Sequence, residues 1–518
     1  MSTTDPATED DKPDDQVKNW LKVIDTYERE FKPWATRCEK IIKIYTEARR
    51  TEGSEVRRMS LLWSNIAVLQ PAIYAKAPQP NVTRRFKDED PVAKYAAEII
   101  ERCVRYTFDD ADFDGVIRAV RDDYLLVARG TAWARYDADF APLTGEDDAP
   151  LNAKGEPLQD GEEAGEKVEG EYICWDYVNW RDFGHNVARH WQEVETVWRK
   201  VYMARDAGIK RFGKKKFDNV ELDHKVGDDS EQKNSESQAP AKATVYEIWD
   251  KPTNKVYFIA KGGKEILDES EPYLKFKDFF PCPRPVYGTL QTSSLVPVPD
   301  YVFYQDQVEE IDDLTARIGA LTDQLKVVGL YPAAATDASE AIQEIAKAGV
   351  ENRLIPVPNW AQFKDGGGMK GMIEWWPVDQ VIKVMEGCFT SRKQLIEDVY
   401  QITGISDIMR GEGDKNETAT AQNIKSQWGS VRVRERQAHL AYFARDCARI
   451  TAEIIADKFQ PQTMMEMSNI KLPTQAEVEQ AALQQRIAAM KAQAQAQQAA
   501  QMQQQPPQGQ PQQPMGGM

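Results

Sequence analysis

Histidine and cysteine are scarce in this 518-residue chain, with four and six copies respectively, and that scarcity narrows its chemistry. The cysteines (Cys38, Cys103, Cys174, Cys282, Cys388, Cys447) lie far apart and form no CxxC pair. Reduced, mostly buried thiols of a cytosolic protein are therefore expected, not a disulfide frame. His185 and His190 are five apart in a loop. That is not the i,i+4 pair of a helical metal site, and no third ligand stands near them. No GxxxxGK[ST] and no GxSxG occurs, and GGGMKG at 366–371 lacks the Lys-Ser/Thr ending of a phosphate loop. No stretch reaches the ~18 apolar residues of a membrane span. The first residues, MSTTDPATEDDKPDDQ, are acidic and lack the apolar core of a signal peptide. The chain is thus expected to be made and used without crossing a membrane.

Carboxylates are abundant, 83 against 66 basic residues, for a net charge of −17. That balance excludes a generic nucleic-acid-coating protein, though not one that surrounds DNA without gripping it. DDADFDGVIRAVRD (109–122) places Asp110, Asp112, Asp114 and Gly115 at positions 1, 3, 5 and 6 of an EF-hand loop. Arg121 stands where the bidentate Glu should be, and Phe113, Val116, Ile117, Val120, Tyr124 and Val127 form one continuous helix face. The acidic run reads as the N-terminal end of a helix, where the macrodipole favours it. With this many carboxylates chance clusters arise, and none has the fixed spacing of a two-metal site. No catalytic residue, metal or cofactor is predicted.

Hydrophobic residues make up 41% and charged residues 29%, the composition of globular protein, and the length implies two to four regions. Residues 1–16 read as a disordered acidic arm. Helical spacing follows at Trp20, Ile24, Tyr27 and Phe31, is interrupted at Pro33, and resumes at Trp34, Cys38, Ile41 and Tyr45. Further helices are predicted over 56–76, 92–108 and 113–129, the last stopped by Gly130. Strands are predicted at 131–137, 171–180 and 193–203, and a hairpin at 245–250 and 255–261. The acidic stretches 138–169 and 213–243 read as exposed insertions, and FFPCPRPVYG (279–288) cannot be helix. Beyond Pro299, with Asp300 as N-cap, Ile311, Leu314, Ile318, Leu321, Leu325 and Val328 keep the 3/4 spacing of a straight helix packed on its like, about 42 Å long. A compact segment (329–376) separates it from a second long helix ending at Gly404, with Val378, Ile382, Met385, Phe389, Ile396 and Val399 on one side. After a polar loop, a third helix of about 40 residues carries Ile424, Trp428, Val431, Leu440, Phe443, Cys447, Ile450 and Ile454. Thr474 to Glu477 form a capping box that opens a Gln/Ala-rich helix, and the Gln/Pro tail beyond is low-complexity. The fold class is α+β.

Two long helices bracketing a small α/β segment, then a loop and a third long helix: this order resembles the portal proteins of tailed bacteriophages, the short-tailed type especially. Local stretches carry the resemblance: NIAVLQPAIYAKAPQPNV (65–82), FFPCPRPVYG with PVPDYVFYQDQVEEIDDL (297–314), and TGISDIMRGEGDKNETATAQNIKSQ (403–427). It covers about 20–460; the acidic insertions and the Gln-rich tail have no counterpart. The resemblance implies a wing over 17–298 (helices 17–129, β-rich 131–298), stem helices over 300–328 and 377–403, and a clip over 329–376. It further implies a tunnel loop over 404–417, a wing/crown helix over 418–460, a crown helix over 461–505 and a tail over 506–518. It implies a ring of twelve at one capsid vertex, with double-stranded DNA passing through during packaging and ejection. The implied partners are the large terminase subunit, a head-completion or adaptor protein, and capsid and scaffold proteins; the implied location is the virion, and the host cytoplasm during assembly. Other readings are a scaffold or internal head protein, or a metal-dependent nuclease.

The residues fit such a channel physically. Long helices with heptad-like seams let identical copies pack side by side, and a head-to-tail interface closes a ring. Asp306, Glu309, Glu310 and Asp313, with Asp312 and Asp323, outnumber Arg317 and Lys326 on the first stem helix, and an acidic wall keeps DNA sliding. Ile408, Met409, Arg410 and Lys415 are the expected DNA-facing residues of the loop. Arg432, Arg434, Arg436, Arg445 and Arg449 on the third helix are expected to face a neighbouring subunit in preference to phosphates.

Overall fold

The computed structural model describes residues 15–49, 57–84, 91–144, 151–152, 157, 165–225, 240–325, 329–330, 374–375, 378–405 and 419–471, with scattered positions between 480 and 491. The protein is mixed α+β. The acidic arm before residue 15, nearly all of the clip, the loop from 406 to 418, the 474–477 capping box and the tail lie outside the described residues. By contacts the chain forms two compact units. The first comprises residues 1–80, 107–137 and 172–457, and the second 81–106, 138–171 and 458–518.

In the first unit, α1 (Asp15–Tyr45) lies on a five-stranded antiparallel meander. The strands are β3 (Phe183–His185), β4 (Thr196–Met203), β5 (Ala243–Asp250), β6 (Lys255–Ala260) and β7 (Ile266–Ser270), following β1 (Arg129–Pro142) and β2 (Glu166–Val178) in the chain. Val17, Ile24, Tyr27, Phe31, Trp34 and Cys38 bury one helical stripe against Trp198, Tyr246, Ile248, Tyr257 and Ile259. Strand alternation explains the other face: Arg199 and Glu247, opposite each other in register, form an ion pair at 2.8 Å on the far side. Pro33 does not interrupt α1, contrary to expectation. Burying Trp34, Cys38 and Ile41 beyond it offsets the ~3 kcal/mol a helical proline costs.

The other helices are α2 (Leu61–Ile73), α3 (Pro91–Asp110) and α4 (Phe113–Val127). Asp112 caps α4 by accepting from the Gly115 backbone N–H, the acidic helix start read from sequence. Gly130 does not stop α4; Ala128 does, at φ +63°. Gly130 already lies in β1, which pairs with β8 (Val286–Tyr287), and a Cβ there would sit 2.2 Å from the Val120 carbonyl oxygen. Between β4 and β5 come two helices that were not predicted, α5 (Arg205–Phe212) just before the expected 213–243 insertion and α6 (Lys214–Phe217) at its start. Strands β9 (Thr289–Leu290) and β10 (Pro297–Val298) lead into a 3-10 turn, Asp300–Phe303. Helix α7 (Gln305–Gln324) therefore starts later and ends sooner than 300–328, giving roughly 30 Å. Short strands β11 (Gly329–Leu330) and β12 (Glu374–Trp375) pair across the clip segment. Helix α8 (Val378–Thr403) and α9 (Ala419–Lys458) match their expected spans. Five of the six cysteines are buried and all are free.

In the second unit, α10 (Pro461–Ser468) packs near the middle of α3: Arg102 Nη1 donates to the Ser468 carbonyl at 3.0 Å. Glu171 accepts from the Gln460 backbone N–H (2.9 Å) and the Thr463 hydroxyl (2.6 Å) at the start of α10. The single crown helix expected over 461–505 is broken here, because Asn469 takes φ +52°.

His185 is wholly buried, and burial outweighs the Asn186 carbonyl 2.8 Å from Nδ1, holding the imidazole down to about 3. Asp123 is partly buried and accepts from the Tyr177 hydroxyl at 2.7 Å; desolvation pushes its carboxyl up to about 7. The neutral imidazole stabilises fully above its unfolded value near 6.5 and loses about 1.4 kcal/mol per pH unit below it, down to about 3. The carboxyl acts oppositely: its contribution is intact below the ordinary 3.8 and is lost as pH rises to about 7. Asp123→Asn is therefore expected to lower the urea midpoint as pH falls from ~6.5 to ~4, and His185→Gln to lower it as pH rises through that window. Urea titrations across the window check this, and slopes of the same sign in both variants refute it.

Candidate functional site at the helix junction

The C-terminus of α8, the start of α7 and the N-terminal half of α9 meet in the first unit, at the root of the 404–417 loop. Helices α7 and α8 pack antiparallel: Thr322 Oγ1 contacts Met385 Sδ (3.8 Å), and Arg392 Nη1 donates to Thr315 Oγ1 (3.3 Å), so partner numbers fall as α7 numbers rise. Ile311 and Ile318 are buried on the α7 seam, with Leu314, Leu321 and Leu325 half-buried. On α8, Val399 and Cys388 are the buried residues; Phe389, expected inside, is 42% exposed because Cys388 takes its place on the packed side. Leu440, Phe443, Cys447, Ile450 and Ile454 are buried along α9 as their spacing predicts, whereas Val431 is open.

Gly404 ends α8 as expected. Its N–H bonds the Tyr400 carbonyl at 2.8 Å, and its φ of +72° is the left-handed cap that glycine adopts without strain. Thr403 Oγ1 bonds back to the Val399 carbonyl, and Ile405 is 2% exposed, so the chain is anchored up to the residue before the loop. Arg432 Nη1 donates to the Ile402 carbonyl (2.8 Å), one of the carbonyls a helix end leaves unsatisfied. Arg436 forms an ion pair with Asp300. Asp300 is thus not the N-cap predicted for it; it ties the turn before α7 to α9. Nearby, Tyr124 Oη meets His439 Nδ1 at 3.2 Å, and burial raises Tyr124 to about 12. Gln437 Nε2 donates to the Ala72 carbonyl at 2.7 Å. A cavity of about 360 Å³ opens here, walled by Ile66, Leu69, Leu125, Phe303 and Ile402, with Asp300, Arg432 and Arg436 at its polar side.

The four acidic-wall candidates, Asp306, Glu309, Glu310 and Asp313, share one exposed face of α7. Asp312 does not: it is 9% exposed and turned inward, accepting from Arg49 Nη1 (2.9 Å) and the Met59 backbone N–H (2.9 Å). Its pattern position beside Ile311 on the packed face was the sequence signal for this. Asp323 meets Arg57 at 3.5 Å. Ile408, Met409, Arg410 and Lys415 lie outside the described residues. The arginines of α9, expected to face a neighbour, are largely used within the chain: Arg432 and Arg436 as above, Arg445 with Asp446, and Arg449 with Asp278. Sequence spacing could pair them with each other but could not reveal partners 30 to 171 residues away. Among the described residues no three His, Cys, Asp or Glu side chains are grouped to hold a metal ion, and no helix is long and apolar enough to cross a membrane.

Replacing Arg436 with Met leaves the Asp300 carboxylate without its partner and is expected to cost about 1–2 kcal/mol in urea unfolding, with the double exchange Asp300→Arg/Arg436→Asp recovering part of it. Gly404→Val should cost a similar amount, from the positive φ and from a Cβ 2.8 Å from Arg432 Cδ. An unchanged midpoint for Arg436→Met would show the ion pair to be idle.

No protein-family model matches the chain, and no curated protein matches its sequence.

Proposed function

We propose that the chain is the portal subunit of a tailed bacteriophage, a non-enzymatic protein of the virion. It forms a ring of twelve through which double-stranded DNA is packaged and ejected. The observation that supports this best is the antiparallel α7–α8 pair, which brackets the 325–377 segment and whose other ends are tied to the 40-residue α9 by Arg432 and Arg436. Along this pair and α9, Val384 (55% exposed), Phe389, Ile402, Val431 (54%) and Tyr442 (58%) stay open in the single chain. Apolar side chains spread along long helices are what side-by-side packing of identical copies would cover. The exposed carboxylates of α7 suit a wall that DNA slides past. Residues 404–417, anchored by Gly404 and Ile405, would reach toward the duplex with Ile408, Met409, Arg410 and Lys415. The clip would receive the large terminase subunit and later the head-completion protein, and capsid and scaffold proteins would surround the ring during assembly.

Twelve copies of a 58.9 kDa chain make a particle of about 700 kDa. Native mass spectrometry and negative-stain images of the purified protein are expected to show that closed ring; a solitary subunit at all concentrations defeats the reading. Deleting 406–415 should leave the ring intact and lower the yield of packaged genomes, and a normal yield would remove the loop from any role at the DNA.

A further inference from the structure

The chain is strongly acidic, yet from Arg205 to Lys216 it holds six cations against the single carboxylate of Asp206. This stretch is the α5–α6 corner. It packs on the face of the five-stranded sheet opposite α1: the Phe212 ring lies 5.6 Å from Phe258, whose neighbours Tyr257 and Ile259 point to α1. Phe217 is buried, and Lys216 Nζ donates to the Leu267 carbonyl at 2.9 Å. The corner is therefore a packed element and not a loose loop. It leaves Lys210, Arg211, Lys214, Lys215 and Lys216 exposed. Arg211 lies over the Phe258 ring at 4.7 Å, and no ion pair engages Lys210, Lys214 or Lys215 among the described residues.

The complementary charge is in the same chain. Residues 1–14 carry Asp5, Glu9, Asp10, Asp11 and Asp14 against Lys12. They enter α1 at this very sheet: Val17 is fully buried, and Trp20 lies 5.3 Å from Tyr257, which pairs with Glu269 on the edge strand β7. From there the corner is around the β7 edge, across a layer on the order of 10 Å, and fourteen residues can span roughly 46 Å. We propose that residues 1–14 dock on the α5–α6 corner of their own chain, five carboxylates against five cations, and so keep that corner from binding nucleic acid. The tether makes the contact effectively intramolecular, which favours it over any free polyanion at low concentration. Both elements belong to one chain, so the contact is independent of the ring reading.

Carbodiimide cross-linking of the full chain, read by mass spectrometry on a mixture of isotopically light and heavy protein, tests the contact. Links from Asp5–Asp14 to Lys210, Lys214 or Lys215 are expected within one isotope form. Links absent, mixed between isotope forms, or confined to the acidic stretch Asp228–Glu236 overturn the proposal. Fluorescence anisotropy with a labelled duplex at low salt tests the consequence. Removing residues 1–14 should tighten duplex binding about tenfold, and Lys210→Gln/Lys214→Gln/Lys215→Gln in that background should abolish the gain. An unchanged duplex affinity on removal of the arm overturns the masking role.

Discussion

Arg129 is the pin on which the first unit depends. Its guanidinium is 1% exposed and has no carboxylate in ion-pair reach among the described residues. Instead it donates to Tyr27 Oη (2.6 Å) and to the carbonyls of Trp180 (2.7 Å) and Phe183 (3.1 Å), and lies 4.5 Å from the Trp34 ring centre. Burying a charge is costly unless it is hydrogen-bonded, and these three bonds from Nη1 and Nη2 offset that cost, while Nε has no partner among the described residues. The bonds reach three different places: α1, the turn after β2, and the start of β3. Trp34 Nε1 adds a bond to the Val127 carbonyl, where α4 ends. One side chain at the first residue of β1 thus fixes how helix, sheet and turn meet. The buried His185 imidazole, packed 5.4 Å from Tyr27 and 5.5 Å from Phe31, completes the same pocket.

The helix junction uses charge differently. Arg432 and Arg436, one turn apart on α9, engage the end of α8 and the turn before α7. Both ends of the α7–α8 pair that lie near α9 are therefore clamped, while the opposite ends run into the segment between Leu325 and Val378. Gly404 and Ile405 hold the chain on the clamped side. The helix ends from which residue 406 departs are thus held in place by α9. The exposed side of α7 keeps its carboxylates because none is needed inside except Asp312, whose two bonds fasten the connection between α1 and α2.

Much of this was legible along the chain. The spacing of Ile24, Tyr27, Phe31, Trp34 and Cys38 named the buried stripe of α1 correctly, and the 245–250/255–261 hairpin and the extents of α8 and α9 followed from periodicity and from Gly404. The misses have specific causes. Pro33 was read by its local cost, while the core it packs into supplies more. Gly130 was given the role of a helix stop by its type, but the left-handed residue is Ala128, and Gly130 is required by the close Val120 carbonyl. Asp300 had the type and position of an N-cap and was taken instead by Arg436. Phe389 fitted the period of α8, but Cys388, one position back and about 100° around the helix, is the buried residue.

The sequence by itself determined most of the long helices, the 245–250/255–261 hairpin, the apolar stripe of α1 and the acidic balance of the chain, since periodicity and composition are local properties. Only the tertiary structure decided the partners: Asp312 inward among outward carboxylates, the α9 arginines spent on carbonyls and carboxylates of the same chain, and the Arg129 guanidinium buried on a hydroxyl and two carbonyls. Those choices depend on which surfaces become neighbours after folding, and charge and hydrogen-bonding groups act over a few ångströms in space, whatever their separation along the chain.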